Sequence, residues 1–136
     1  MGAWGTGLFD NDTASDFVDE VVRGRDFRRI EESLSSVVST GANYLQAPDA
    51  EEALVAADVV ARLKGRMGEK TASTEVIDKW VRDHASLTPS EALIEKARSA
   101  VRRILTEPSE LLELFQESDE FAEWKANVDS LLARLA

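Results

Sequence analysis

The chain has 136 residues, a hydrophobic share of 43%, a charged share of 31%, no cysteine and a formal net charge of −10. That length suits one domain, 1–136, with a core of its own, and the lack of cysteine excludes disulfide scaffolding, thiol chemistry and thiolate metal sites. The charge is even along the chain: dividing it at Gly68 gives 7 basic against 12 acidic residues, then 9 against 14. This excludes a basic arm or an acidic tail. It also disfavours nucleic acid, whose phosphates the protein repels, and favours a basic protein as partner. No basic region leads an apolar run, and no run is long enough to span a bilayer, so a cytoplasmic location without membrane attachment is expected. Met1-Gly2-Ala3-Trp4-Gly5-Thr6 fits a loose myristoylation template, but a single acyl chain without a basic patch anchors weakly.

In chain order, Met1 to Asp12 comes first, with three glycines, Trp4 and Phe9 ahead of Asn11-Asp12. Glycine admits backbone angles closed to other residues, and each large aromatic seeks burial. The spacing therefore predicts a fixed, non-helical lead packed on the body. Ala14, Phe17, Val18, Val21 and Val22 form an apolar helical stripe after an Asn11-Asp12 cap, with Gly24 at its exit. Phe27, Ile30, Leu34, Val37 and Val38 mark a second helix ending near Gly41. Pro48 then reads as a break, and Asp49-Ala50-Glu51-Glu52 as a capping box opening a third helix.

From Ala53 to Leu63 that third helix is apolar on nearly every side apart from Asp58 and Arg62. Such a helix is surrounded by others, and its alanines allow close approach, so it is expected at the centre of the fold. Val76, Ile77, Trp80 and Val81 mark a fourth helix. Thr88-Pro89-Ser90-Glu91 reads as an N-cap with proline in the first turn, opening a fifth. Glu107-Pro108-Ser109 opens a short sixth, and Phe121, Trp124, Val128, Leu131, Leu132 and Leu135 form a last amphipathic stripe. The expected fold is all-α, six to seven helices around the Ala-rich one, with a non-helical Gly/Trp lead.

Reactive chemistry is sparse. His84 is the only histidine; it follows Trp80 by one turn and reads as a half-buried helix residue. One histidine without cysteine all but excludes a structural or catalytic zinc site, no catalytic residue stands out, and no cofactor is implied. Gly5-Thr6-Gly7 lacks the preceding strand and third glycine of a dinucleotide loop, and Asp10-Asn11-Asp12 lacks the later ligands of a calcium loop. Asp58 pairs most simply with Arg62 one turn on, since an unpaired charge among Ala56, Ala57, Val59 and Val60 would be costly. Between Glu107 and Glu123 stand seven acids and no lysine or arginine: besides those two, Glu110, Glu113, Glu117, Asp119 and Glu120.

Trp4-Gly5, Phe9-Asp10-Asn11-Asp12, the Glu-Ala-Leu-rich central helix and Ser109-Glu110-Leu111…Trp124…Leu131…Arg134-Leu135 resemble a family of small, mainly bacterial proteins, domain-of-unknown-function family 4259. The opening M-G-x-W-G-x-G-x-F-x-N-D is its most specific part. Phe115 stands where relatives are expected to carry tryptophan. The resemblance implies a helical cytosolic protein and supplies no catalytic residues.

Two functional expectations follow. In the first, a non-enzymatic interaction or inhibitor module of the immunity or antitoxin kind holds a basic protein through Glu110, Glu113, Glu117, Asp119, Glu120 and Glu123. In the second, a small ligand or metal ion sits between the lead and the central helix, at Trp4, Phe9, Asp12, Glu52 and Asp58. Composition leaves the assembly state open.

Overall fold

The computed structural model describes residues 5–136. Seven α-helices follow one another: α1 (Asp12–Arg23), α2 (Arg28–Ser39), α3 (Ala47–Leu63), α4 (Glu75–Asp83), α5 (Glu91–Ile104), α6 (Glu110–Gln116) and α7 (Phe121–Leu135). A 3₁₀ turn, Ala72–Thr74, precedes α4. The described residues form no strand; Leu45 and Ser109 meet in an isolated bridge.

Helix α3 is the axis of the fold. Every residue from Ala53 to Arg62 is buried, and α3 packs against each of the other six helices. Small side chains make this possible: Ala53, Ala56, Ala57 and Ala61 are fully buried and let neighbouring backbones approach closely. The surrounding helices each turn one apolar stripe inward, contributing Phe17, Leu34, Ile77, Ile104 and Leu131 to a single cluster. Val38 and Val76 sit at the margins of their stripes and are exposed.

Two helix starts differ from the sequence reading. Helix α3 opens at Ala47, with Pro48 in its first turn, so Asp49 to Glu52 lie inside the helix rather than forming its cap. Proline needs no hydrogen-bond acceptor there, and a carboxylate from elsewhere does the capping: the Ala47 amide donates to Glu110 Oε1 at 2.8 Å. Helix α5 is capped by Ser90, whose Oγ accepts from the Leu93 amide at 3.1 Å, so Thr88 and Pro89 precede the helix. Helix α1 follows its expected cap, with Asn11 Oδ1 accepting from the Ala14 amide at 2.7 Å. The turns after α2 and α3 use left-handed glycines, Gly41 at φ 59° and Gly65 at φ 87°.

Long side chains lock the loops. Arg103 donates to the carbonyls of Gly41, Asn43, Thr106 and Pro108 at 2.6–2.9 Å, joining the α2–α3 and α5–α6 connections. The end of α7 is held by Arg98 Nε on the Leu135 carbonyl at 2.9 Å and by Lys64 Nζ on the Ala136 carbonyl at 3.1 Å, where cations suit the helix dipole.

Candidate functional site

The N-terminal lead is built around one carboxylate. The Gly7 amide donates to Asp10 Oδ2 at 3.2 Å, and the Asp10 amide donates back to the Gly7 carbonyl at 3.1 Å. A Cβ on Gly5 would stand 2.7 Å from Asp10 Oδ2, and one on Gly7 2.5 Å from it. Gly7 does not have a positive φ. Both leave room for the Asp10 carboxylate, and at Gly7 space rather than an unusual angle is the constraint, which corrects the reading of the sequence. Asn127 on α7 ties this turn down, its Nδ2 donating to the Thr6 carbonyl at 2.9 Å.

Beneath the turn lies an open cavity of about 240 Å³, walled by Thr6 to Asp10, by Asp58 and Arg62 of α3, by Glu69, Thr71 and Thr74, and by Glu123, Asn127, Ser130 and Arg134 of α7. Its floor is an ion-pair network. Arg62 Nε donates to Asp58 Oδ1 at 2.6 Å, Arg62 Nη1 to Asp78 Oδ1 at 2.6 Å, and Arg62 Nη2 to the Glu69 carbonyl at 2.9 Å. From α7, Arg134 Nη2 reaches Asp58 Oδ2 at 2.8 Å, and Thr74 Oγ1 donates to Asp78 Oδ2 at 3.0 Å. The Arg62 guanidinium also lies 5.3 Å above the Phe9 ring, a cation–π contact. Asp58, Arg62 and Asp78 are 2%, 3% and 5% exposed, so the cost of burying these charges is offset by the contacts of this network. Gly68 is part of this fit: a Cβ there would stand 2.7 Å from Arg134 Cζ.

The second feature is the surface made by α6 and the start of α7. Leu111, Leu112, Phe115 and Trp124 point into the core, with the Phe115 and Trp124 rings stacked at 4.7 Å. The intervening acids face outward: Glu107, Glu117, Asp119, Glu120 and Glu123 are exposed, and Glu110 and Glu113 half-buried. None of the seven forms an ion pair among the described residues, although eleven such pairs occur elsewhere. Partial burial, then Glu113, Glu110 and Glu117, hold the Tyr44 phenol above its ordinary range, a sign of the local negative field.

A family model described as a domain of unknown function (DUF4259) matches residues 2–127. The chain belongs to that family. No similar curated protein and no similar solved structure was found. The DUF4259 match takes in the N-terminal turn, all of α1 to α6 and α7 as far as Asn127, and therefore the acidic surface and most of the cavity wall.

In this DUF4259 chain the residues of the second functional expectation do not converge. Trp4 lies outside the described residues. Phe9 and Asp58 do line the cavity. Asp12 is exposed at the first position of α1, and Glu52 faces the other way, bonded by Arg29 Nη2 at 3.1 Å. Arg29 in turn pairs with Glu20 of α1 at 3.2 Å. Among the described residues no group of three His, Asp or Glu side chains could hold a metal ion. His84 stacks on Trp80 at 4.4 Å, with Nδ1 2.8 Å from the Trp80 carbonyl, and so has a packing role at the end of α4.

Beside the cavity, Glu51 of α3 is 7% exposed. Burial pushes its carboxyl above the ordinary range, with Glu110 and Asp12 adding to the rise and Thr13 opposing it. The folded protein therefore binds the Glu51 proton more tightly than the unfolded chain does. Ionisation lowers stability as pH rises through the interval between the unfolded and folded values, and below that interval the cost is absent. Glu51→Gln is expected to raise Tm at neutral pH and to flatten this part of the stability profile, measured by thermal melts across the acid range. An unchanged profile would show that the carboxyl is not perturbed by folding.

Proposed function

We propose that this DUF4259 protein is a non-enzymatic interaction module, of the immunity or antitoxin kind, that holds a basic protein on the acidic surface of α6 and the start of α7. Its expected setting is the cytoplasm of a bacterium. The observation that carries the reading is the absence of any internal ion-pair partner, among the described residues, for the seven acids from Glu107 to Glu123. Repelling carboxylates gathered on one face cost stability, and a basic partner relieves that cost while being steered by the field. The stacked Phe115 and Trp124 beneath supply a firm base for the surface.

The probe is an acetylated, amidated peptide of four Arg-Gly repeats, titrated calorimetrically at low and moderate salt. At about 0.5 kcal/mol per exposed charge pair, Glu117→Gln/Asp119→Asn/Glu120→Gln is expected to weaken binding about tenfold. The control Asp16→Asn/Asp19→Asn/Glu75→Gln removes the same charge from exposed positions on α1 and α4, and is expected to leave affinity within about twofold. Equal losses from both variants would reduce the effect to net charge and overturn the reading.

A further inference from the structure

We infer that the cavity beneath the N-terminal turn receives one cationic side chain, arginine or lysine, from the same basic partner; the inference rests on the docking reading above. Size is the first argument. At about 240 Å³ the cavity is smaller than the roughly 300–1,000 Å³ of small-molecule and cofactor sites, and it is open to solvent, as an entering side chain requires.

Charge is the second. The two arginines of the floor would repel a cation if they stood alone, but Arg62 is bonded to Asp58 and Asp78, and Arg134 to Asp58. The ion-pair network is thus balanced, Arg62 and Arg134 against Asp58 and Asp78, although Asp78 does not itself line the cavity. The walls carry three more carboxylates, Asp10, Glu69 and Glu123, none in an ion pair among the described residues. These three come from the N-terminal turn, the segment before α4 and α7, and do not gather on a point where a metal ion could sit. A guanidinium or ammonium group, with several donors directed outward from a longer stem, matches spread acceptors. Phe9 and Leu8 offer apolar surface to the methylene stem.

Continuity is the third. Glu123 is both the last acid of the α6–α7 run and a wall of the cavity, so a partner lying on the acidic surface passes the opening.

The test uses the intact protein and three acetylated, amidated tripeptides, Gly-Arg-Gly, Gly-Lys-Gly and Gly-citrulline-Gly, followed through the Asn127 side-chain amide and Thr6 backbone amide signals. Binding of the arginine or the lysine peptide, but not of the neutral citrulline peptide, is expected; the stronger of the two identifies the preferred head group. Ser130→Trp, an exposed wall position made bulky, is expected to weaken the tripeptide and the Arg-Gly octapeptide about tenfold, and Glu69→Gln, a wall charge outside the acidic run, to weaken both about threefold. The Glu117/Asp119/Glu120 triple variant should leave tripeptide affinity within about twofold. Glu69→Gln is a surface change that keeps the test valid should Ser130→Trp disturb folding. Equal binding of the citrulline peptide, or tripeptide affinity untouched by both wall variants, overturns the inference. If the octapeptide still depends on the acidic triple in that case, the docking surface stands and only the cavity assignment falls.

Discussion

Arg62→Met is expected to lower the stability of the protein by about 3–5 kcal/mol, the usual cost of removing one partner from a buried ion-pair network. Arg62 bonds two carboxylates at 2.6 Å, and both are almost wholly buried. After the change Asp58 keeps Arg134, whereas Asp78 keeps only the Thr74 hydroxyl. The cost therefore falls mainly on Asp78, and the double variant Arg62→Met/Asp78→Asn is expected to be more stable than Arg62→Met alone. Urea unfolding of wild type, both single variants and the double variant measures the coupling. The same arginine bonds the Glu69 carbonyl and covers the Phe9 ring. Its loss should thus also loosen the N-terminal turn, seen as faster hydrogen exchange at Gly7. Additive effects in the cycle would show that Arg62 and Asp78 do not act as a pair.

Trp124→Ala carries the second large expected effect, again about 3–5 kcal/mol, from lost burial and the cavity left behind. Trp124 is 2% exposed, parallel to Phe115 within 8° and close to Phe121 at 6.3 Å. It lines a small pocket together with Leu111 and Phe115 of α6 and Leu54 of α3. Because Trp124 stacks on Phe115 of α6 and directly follows Glu123, the variant should lose octapeptide affinity together with stability. Trp124→Phe keeps an aromatic face on Phe115 and is expected to lose less of both. Full stability in the alanine variant would place the support of this surface elsewhere.

The all-α fold was readable because helical periodicity is strong in every segment and because Ala53 to Leu63 has no polar face to give to solvent. Helix starts were less legible where the capping group comes from far along the chain. Nothing near Ala47 announces that Glu110, sixty-three residues later, caps it. The Asp58–Arg62 pair follows from i,i+4 spacing, and the structure has it at 2.6 Å. Its continuation through Asp78 and Arg134 is tertiary. One signal was available: Asp78 stands beside Ile77 and Arg134 beside Leu135, each a charge next to an inward position of an amphipathic helix. Asn127, beside the fully buried Val128, carries the same mark. Glu52 was misplaced toward the cavity because sequence separation alone does not fix which neighbour a helix face meets. The glycines of the lead were recognisable as structural, but the reason, room for the Asp10 carboxylate, depends on a side chain folding back over three residues.

An amide chemical-shift titration of the intact protein with the Arg-Gly octapeptide, at low and then moderate salt, tests the docking surface most directly. The expected result is a contiguous set of shifts from Gln116 to Glu123, extending to Thr6 and Asn127 at the cavity and reversed by moderate salt. Shifts spread equally over Asp16, Asp19 and Glu75, in proportion to exposure alone, would contradict a dedicated acidic face and leave only the general attraction of a negatively charged protein for a cation.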